Sequence, residues 1–431
     1  MSQGLHNTLF VEYGLTKLLV PQLVDLREIV VGGAPPEPPT PPPSEGFDAV
    51  KALEFIVRGP SSAPIPPSGL TSITTSDNFQ SKINAGSVNE KFGVAPGTYN
   101  VVNLSPKTGQ EFYATGLGVI FEGSGTAVQA ISGSAGVTNV LWQGMEIRNY
   151  VSKCIFVNQG SAWRIHFVHA HHAVGSDTKG AVIHLGANGG CSVMMNILSH
   201  GEAQVINAQS GGDTIDNNEI HHGNESGQAW NSSAGLAAGC KSHSAASTIY
   251  LKNYLHDNAG PDIWFDATNS DPGDRVVENL IIGGANNDGP GVMYEISSGT
   301  NAGNQAIIRG NVIQDVDHSA YFISEAQWVT IKDGLVERCW GSLTSREGAR
   351  AQNVDNVTFQ DMVVDQRNIG TGQYPRAAGV LNNQRAGTTH SWLRNIYTIS
   401  PAIANPFRWE GQNISVAEWR VLFPTEVITV A

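Results

Sequence analysis

The sequence predicts an all-β protein, a right-handed parallel β-helix (a solenoid) that follows a short N-terminal apolar arm and a Pro-rich spacer. Three observations lead there. A segment recurs along most of the chain, apolar residues form columns when its copies are stacked, and the composition is turn-dense. Of 431 residues, 48 are glycine and only 15% are charged, which leaves little for long charged helices. A chain this long makes two or three ordinary domains or one long repetitive one.

The chain divides in order. Residues 1–33 form the arm, where Leu15, Leu18, Leu19, Leu23 and Leu26 recur at helical spacing and Pro21 interrupts them. It has no basic start, and Glu12, Lys17 and Asp25 break its apolar run, so it does not read as a secretory leader. Residues 34–46, APPEPPTPPPSEG, read as a stiff polyproline linker. Residues 47–77 are transitional and hold a second proline cluster. Residues 78–420 are expected to wind as the β-helix, and 421–431 to form a tail.

The repeat is clearest in TIDNNEIHHGN, IYLKNYLHDNAG, VVENLIIGGAN and AIIRGNVIQDVD, stacked on Asn218, Asn253, Asn279 and Asn311. Ile220, Leu255, Ile281 and Ile313 follow two places later; Ile215, Tyr250, Val276 and Ile308 precede by three. Repeats of about 25 to 35 residues without intervening helices suit stacked coils with variable loops. Asparagine tolerates the left-handed backbone of a turn, and stacked amides can bond along a ladder.

A second stack aligns GLAAGCK, GPDIWFD, GPGVMYE and HSAYFIS. Ala238, Ile263, Val292 and Tyr321 form one apolar column; Cys240, Phe265, Tyr294 and Ile323 form another. Side chains alternate along a strand, so Gly239, Trp264, Met293 and Phe322 should face outward. Lys241, Asp266, Glu295 and Ser324 should form the next outward column.

The stretch YLHDNAGPDIWFD thus sits on a candidate ligand face. Lys241, Asp266 and Glu295 are the candidate catalytic residues, since adjacent carboxylates hold a proton and a lysine can steady a substrate carboxylate. Trp264, His256, Asp262 and Met293 are the candidate glycan contacts, Trp264 offering a flat face to a sugar ring. The same row would equally serve as a structural ladder in which Lys241 neutralises Asp266.

No metal site and no cofactor are expected. His166, His169, His171 and His172, with His184 a coil later, could converge on one ion from alternating strand positions, but Asp/Glu companions and a matching second cluster are missing, and they read as solvated turn residues. NNEIHHGN reads as repeat alone. DATNSDPGD, from Asp266 to Asp274, offers calcium oxygens without a known loop spacing. The cysteines, Cys154, Cys191, Cys240 and Cys339, form no CxxC pair and read as small buried apolar residues. A net charge of −13 argues against nucleic acid and fits a neutral or cationic partner. No stretch is apolar enough for membrane insertion.

LKNYLHDNAGPDIWFD, NNDGPGVMYEIS and AIIRGNVI resemble the right-handed parallel β-helix proteins of the pectate-lyase-like superfamily. So do FGVAPGTYNVVNLSPKTGQEF and NISVAEWRVLF, and together the likeness spans residues 78 to 420. That superfamily holds polysaccharide lyases, hydrolases, epimerases, viral tailspikes and binding modules. No lyase motif matches residue by residue, and the D-P-H-D of epimerase-like relatives is missing. An arm and proline spacer ahead of a β-helix resembles bacteriophage tailspikes, fibres and decoration proteins. The resemblance implies a virion location, docking to other virion proteins through the arm, and a β-helix that meets host-surface polysaccharide by binding or cleavage. The alternative it implies is a bacterial polysaccharide lyase or epimerase. A homo-oligomer is compatible with the Gly-rich outer faces.

Overall fold

A computed structural model describes residues 44–431 except 174–179, 187, 210, 230–236, 246, 271–272, 285–287, 300–302, 347–353, 368–375 and 382–388. The arm and nearly all of the proline linker therefore lie outside the described residues. The rest winds as a right-handed parallel β-helix with three sheets of 15, 13 and 12 described strands. Most coils give one short strand to each sheet, and Asn269–Ser270 and Ser298–Gly299 add two short strands to the first. Strands pair in parallel except at the end, where Phe407–Trp409 meets Gln412–Ile414 antiparallel.

The sequence columns are real ladders. Ile215, Tyr250, Val276 and Ile308 are paired neighbours in the first sheet. Ile220, Leu255, Ile281 and Ile313 are paired neighbours in the second. All eight are buried. One continuous apolar core runs along the axis, and the four cysteines lie buried and unpaired.

The asparagines hold the corner between the first two sheets. Asn196, Asn218, Asn253, Asn279 and Asn311 are fully buried. Each Oδ1 from Asn218 to Asn311 accepts both the backbone N–H and the side-chain amide of the asparagine one coil back, at 2.8–3.0 Å. Each Nδ2 also donates to a backbone carbonyl of the preceding coil, as Asn253 does to Ile215 at 2.8 Å. The turn itself falls one place earlier than expected. Asn217, Lys252, Glu278 and Gly310 carry the positive φ, so the ladder asparagines are selected for their amides.

Both ends are plugged, as solenoids require. At the first coil the helix Phe79–Ala85 inserts Phe79 and Ile83 against Phe112 and Phe121. At the last, the helix Val416–Leu422 presses Trp419 onto Phe407 and Trp392. Pairing begins at Thr71–Ile73, ahead of residue 78, and Val427–Val430 is the last strand of the second sheet. The expected tail is thus part of the solenoid.

The expected transitional segment is a strap. The helix Ser44–Lys51 and the turn Ala52–Phe55 place Val50 and Leu53 on Leu280, Val312 and Leu335, outside the second sheet. The strap then runs back toward the first coils. Buried Arg58 donates to the Asn217 carbonyl at 2.8 Å, and the Gly59 N–H donates to Met195 at 2.8 Å.

Two outcomes follow. Asn253→Ala strips a bond from four buried partners, each worth about 1–3 kcal/mol when left unmade. The urea midpoint should fall by the equivalent of about 3 kcal/mol or more. At the last coil Glu426 takes the ladder position after Asn395. Burial pushes its carboxyl up from 4.5 to about 7. A raised folded pKa means stability present below the unfolded value and lost as pH rises through about 7. Glu426→Gln should therefore gain on the parent by up to about 3 kcal/mol between acidic and mildly basic pH, read as the difference in thermal midpoint.

Candidate ligand-contacting face

The outside of the third sheet does not present the residues expected of it. Cys240 pairs with Ile263, and Lys241 with Trp264. The strand Ala238–His243 is thus shifted by two residues from the sequence alignment. The outward columns read Lys241, Trp264, Met293, Phe322 and His243, Asp266, Glu295, Ser324. Lys241 is not level with Asp266. Its Nζ reaches the Asp266 carboxylate diagonally at 2.7 Å and lies 3.4 Å from the centre of the Trp264 ring.

Nor is this face open. Lys241 is 2% exposed, Trp264 3% and Met293 1%. Trp264, Met293 and Phe322 form a second apolar cluster with Ala237, Ala238 and Leu381. Asp262 is also buried and accepts a bond from Asn258 at 2.8 Å. The expected sugar platform is thus a packed outer layer, and Lys241 is a buried cation held against the Asp266 carboxylate and the Trp264 ring. Asp266 and Glu295 stand level and half-buried at its border. Within DATNSDPGD, Asp271 and Pro272 lie outside the described residues. Its Asp274 is spent internally, accepting from Thr248, Thr268 and Tyr294.

Of the expected glycan contacts, His256 alone keeps an accessible side chain, and it belongs to the second sheet. There a polar stripe crosses five successive strands: Glu146–Tyr150, His169–Ala173, Ile197–Gly201, Glu219–Gly223 and Tyr254–His256. Arg148, His171, Ser199, His221 and His256 form one column. Glu146, His169, Glu219 and Tyr254 stand beside them. At the corner, His172, His200, His222 and Asp257 each adopt positive φ, which turns their side chains out in a third row.

The rings pack on one another. His172 stacks on His200 at 4.3 Å, His200 on His222 at 4.7 Å, His221 on His256 at 4.7 Å and His256 on Tyr254 at 4.5 Å. Carboxylates interleave. Glu146 meets His171 at 3.2 Å, Glu225 meets His200 at 2.6 Å, and His256 lies between Glu219 at 3.4 Å and Asp257 at 2.8 Å. The expectation that the histidines lack acidic companions is therefore corrected. The companions come from other coils, 25 residues away for Glu146 and 37 for Glu219.

Proton affinities differ along the stripe. Burial, then neighbouring imidazoles, pushes His171 down to about 4 and His221 down to about 3. Burial also lowers His169 and His172. His256 goes the other way: burial opposes its charge, but Glu219 and Asp257 together lift it above the ordinary imidazole value. His169, His171, His172 and His221 thus favour the neutral imidazole, with one donor and one acceptor nitrogen, beside the Glu146 and Glu219 carboxylates. The sequence held one signal for it. HAHHA, ILSHG and EIHHG carry histidine at matching places before a small residue.

No protein-family model matches the chain, and no curated protein sequence matches it. Solved structures do. The chain is similar to the A-module of the Azotobacter vinelandii mannuronan C-5 epimerase AlgE6, with a TM-score of 0.52, 13% identity, and coverage of 86% of this chain and 98% of that one. It is similar to the Agl-KA catalytic domain, with a TM-score of 0.51, 12% identity, and coverage of 86% and 69%. The Dettilon tailspike protein aligns at a TM-score of 0.48 and 12% identity, over 84% and 73%. At such identities the likeness is one of fold, and it places this chain among the right-handed parallel β-helix proteins.

Proposed function

We propose that the chain is a bacteriophage virion surface protein whose β-helix contacts host-surface polysaccharide. The observation that carries this reading is the stripe on the second sheet. It lines up hydroxyl-matching groups along the solenoid at a coil spacing of about 4.8 Å, comparable to the length of a sugar ring. An extended chain of sugars lying along the axis meets a fresh set of imidazole and carboxylate partners at each coil. Arg148 is tied to Glu122 and Glu146, both at 2.7 Å, so the stripe carries little cationic attraction. Neutral or amino-sugar polymers suit it better than uronate-rich ones.

The strap supports the virion half of the reading. The arm and proline spacer lead straight into the helix Ser44–Lys51, and Val50, Leu53, Arg58 and Gly59 fasten that segment across several coils. A pull on the arm would thus be shared by the whole solenoid rather than by its first strand. The lyase or epimerase alternative draws less support. Lys241, the lysine expected to steady a substrate carboxylate, is buried against Asp266 and Trp264.

Full-length protein passed over immobilised bacterial O-chains and capsules, with reducing-end release measured alongside, tests the reading. Retention on at least one neutral or amino-sugar polymer is expected. His172→Asn with His200→Asn, which keeps left-handed positions in a tolerant residue, should weaken it at least about tenfold. Trp264→Phe should lower thermal stability and leave retention unchanged. Retention lost in Trp264→Phe but intact in the histidine pair would move the ligand to the third sheet and defeat the proposal.

A further inference from the structure

One part of the stripe has the geometry of a metal centre. Glu219 and His221 lie two residues apart on one strand, so they share a face. His256 is the ladder partner of His221 on the next coil. One donor atom from each of the three lies within 4.8 Å of the other two, and all three side chains are partly accessible. We propose that Glu219, His221 and His256 bind one divalent transition-class cation, Zn²⁺ or a similar ion, leaving a coordination position open to solvent.

Two features favour an ion over a simple hydrogen-bonded cluster. The His256 Nε2 and Glu219 Oε1 stand 3.4 Å apart. That is long for a charge-assisted hydrogen bond. It matches the edge of a tetrahedron built on metal–ligand bonds of about 2.0–2.1 Å. Second, Asp257 Oδ2 lies 2.8 Å from the other ring nitrogen, Nδ1. With Nδ1–H donated to that carboxylate, the Nε2 lone pair points to the site, the arrangement by which proteins orient a metal-bound imidazole. Two nitrogens and one carboxylate oxygen select Zn²⁺, Co²⁺, Ni²⁺ or Cu²⁺ over Ca²⁺ or Mg²⁺.

Two neighbours shape the site. His200 and His222 form a second triple with the same His221. His221 offers two ring nitrogens, and its Nδ1 already stands 2.6 Å from the His222 Nδ1. The mixed set is preferred for its 3.4 Å edge and for the carboxylate that offsets ionic charge.

The test uses full-length protein freed of metal by chelator, titrated calorimetrically with Zn²⁺ alone near neutral pH, with Co²⁺ absorption as the report of geometry. One ion per chain is expected, with an absorption band of four- or five-coordinate Co²⁺. Glu219→Gln and His256→Gln should each weaken Zn²⁺ at least about tenfold, within the range that removing a ligand or its support produces. His200→Asn should weaken it less than about threefold. Thermal midpoints guard against misfolding. Zn²⁺ should raise that of the parent by mass action and leave that of a folded His256→Gln unmoved. Absence of stoichiometric binding overturns the proposal. So does loss of binding in His200→Asn with retention in Glu219→Gln, which would seat the ion in the all-histidine triple. No polysaccharide enters this titration, so its failure is separate from failure of the glycan reading.

Discussion

The structure depends on a buried amide that bonds to the same amide one coil away. A parallel coil must turn sharply between its first two sheets, and that turn strands an N–H and a carbonyl away from water. The asparagine ladder satisfies both, and each new coil completes the bonds of the last. The arrangement is cooperative along the axis, because no single coil can satisfy its own amide. It also fixes the register: a coil that slipped would break four buried bonds at once. The ladder lapses after Asn311, where Gly334 follows. A side chain there would strike the Tyr321 hydroxyl at 2.9 Å and the Asn311 carbonyl at 3.1 Å.

Register decides which residues face outward, and packing decides which of those reach water. The third sheet turns Trp264, Met293 and Phe322 outward into a second apolar layer, and Lys241 is drawn beneath with them. The second sheet is divided along its length. Toward the C-terminus its apolar outer residues Leu280, Val312 and Leu335 are covered by the strap. Toward the N-terminus the same columns turn polar and carry the imidazole stripe. One surface is therefore closed by packing and its neighbour keeps polar side chains at the solvent.

Much of this could be read from the sequence, and the failures have physical causes. The inward columns around the asparagines were legible because apolar periodicity and a recurring amide mark the successive coils from Asn218 to Asn311. The alignment of Lys241 with Asp266 failed because a slip of two residues leaves inside and outside unchanged. Alternation cannot detect it, whereas a slip of one would have turned Phe265 out. The burial of Trp264 was not legible, since it depends on what lies over the sheet rather than on the sheet's own pattern. The histidine stripe was half visible. Its imidazoles recur in plain sight, but Glu146 and Glu219 reach their partners only through coil stacking.

The central claim is that the outside of the second sheet is open and that of the third is closed. Brief hydroxyl-radical footprinting of intact protein, read residue by residue by mass spectrometry, tests both together. Methionine oxidises far more readily than histidine, so the contrast works against the account. The account predicts that His222 and Tyr254 are labelled while Met293 and Trp264 stay unmodified until the fold is lost. Rapid sulfoxide formation at Met293 in folded protein, with His222 untouched, would contradict it.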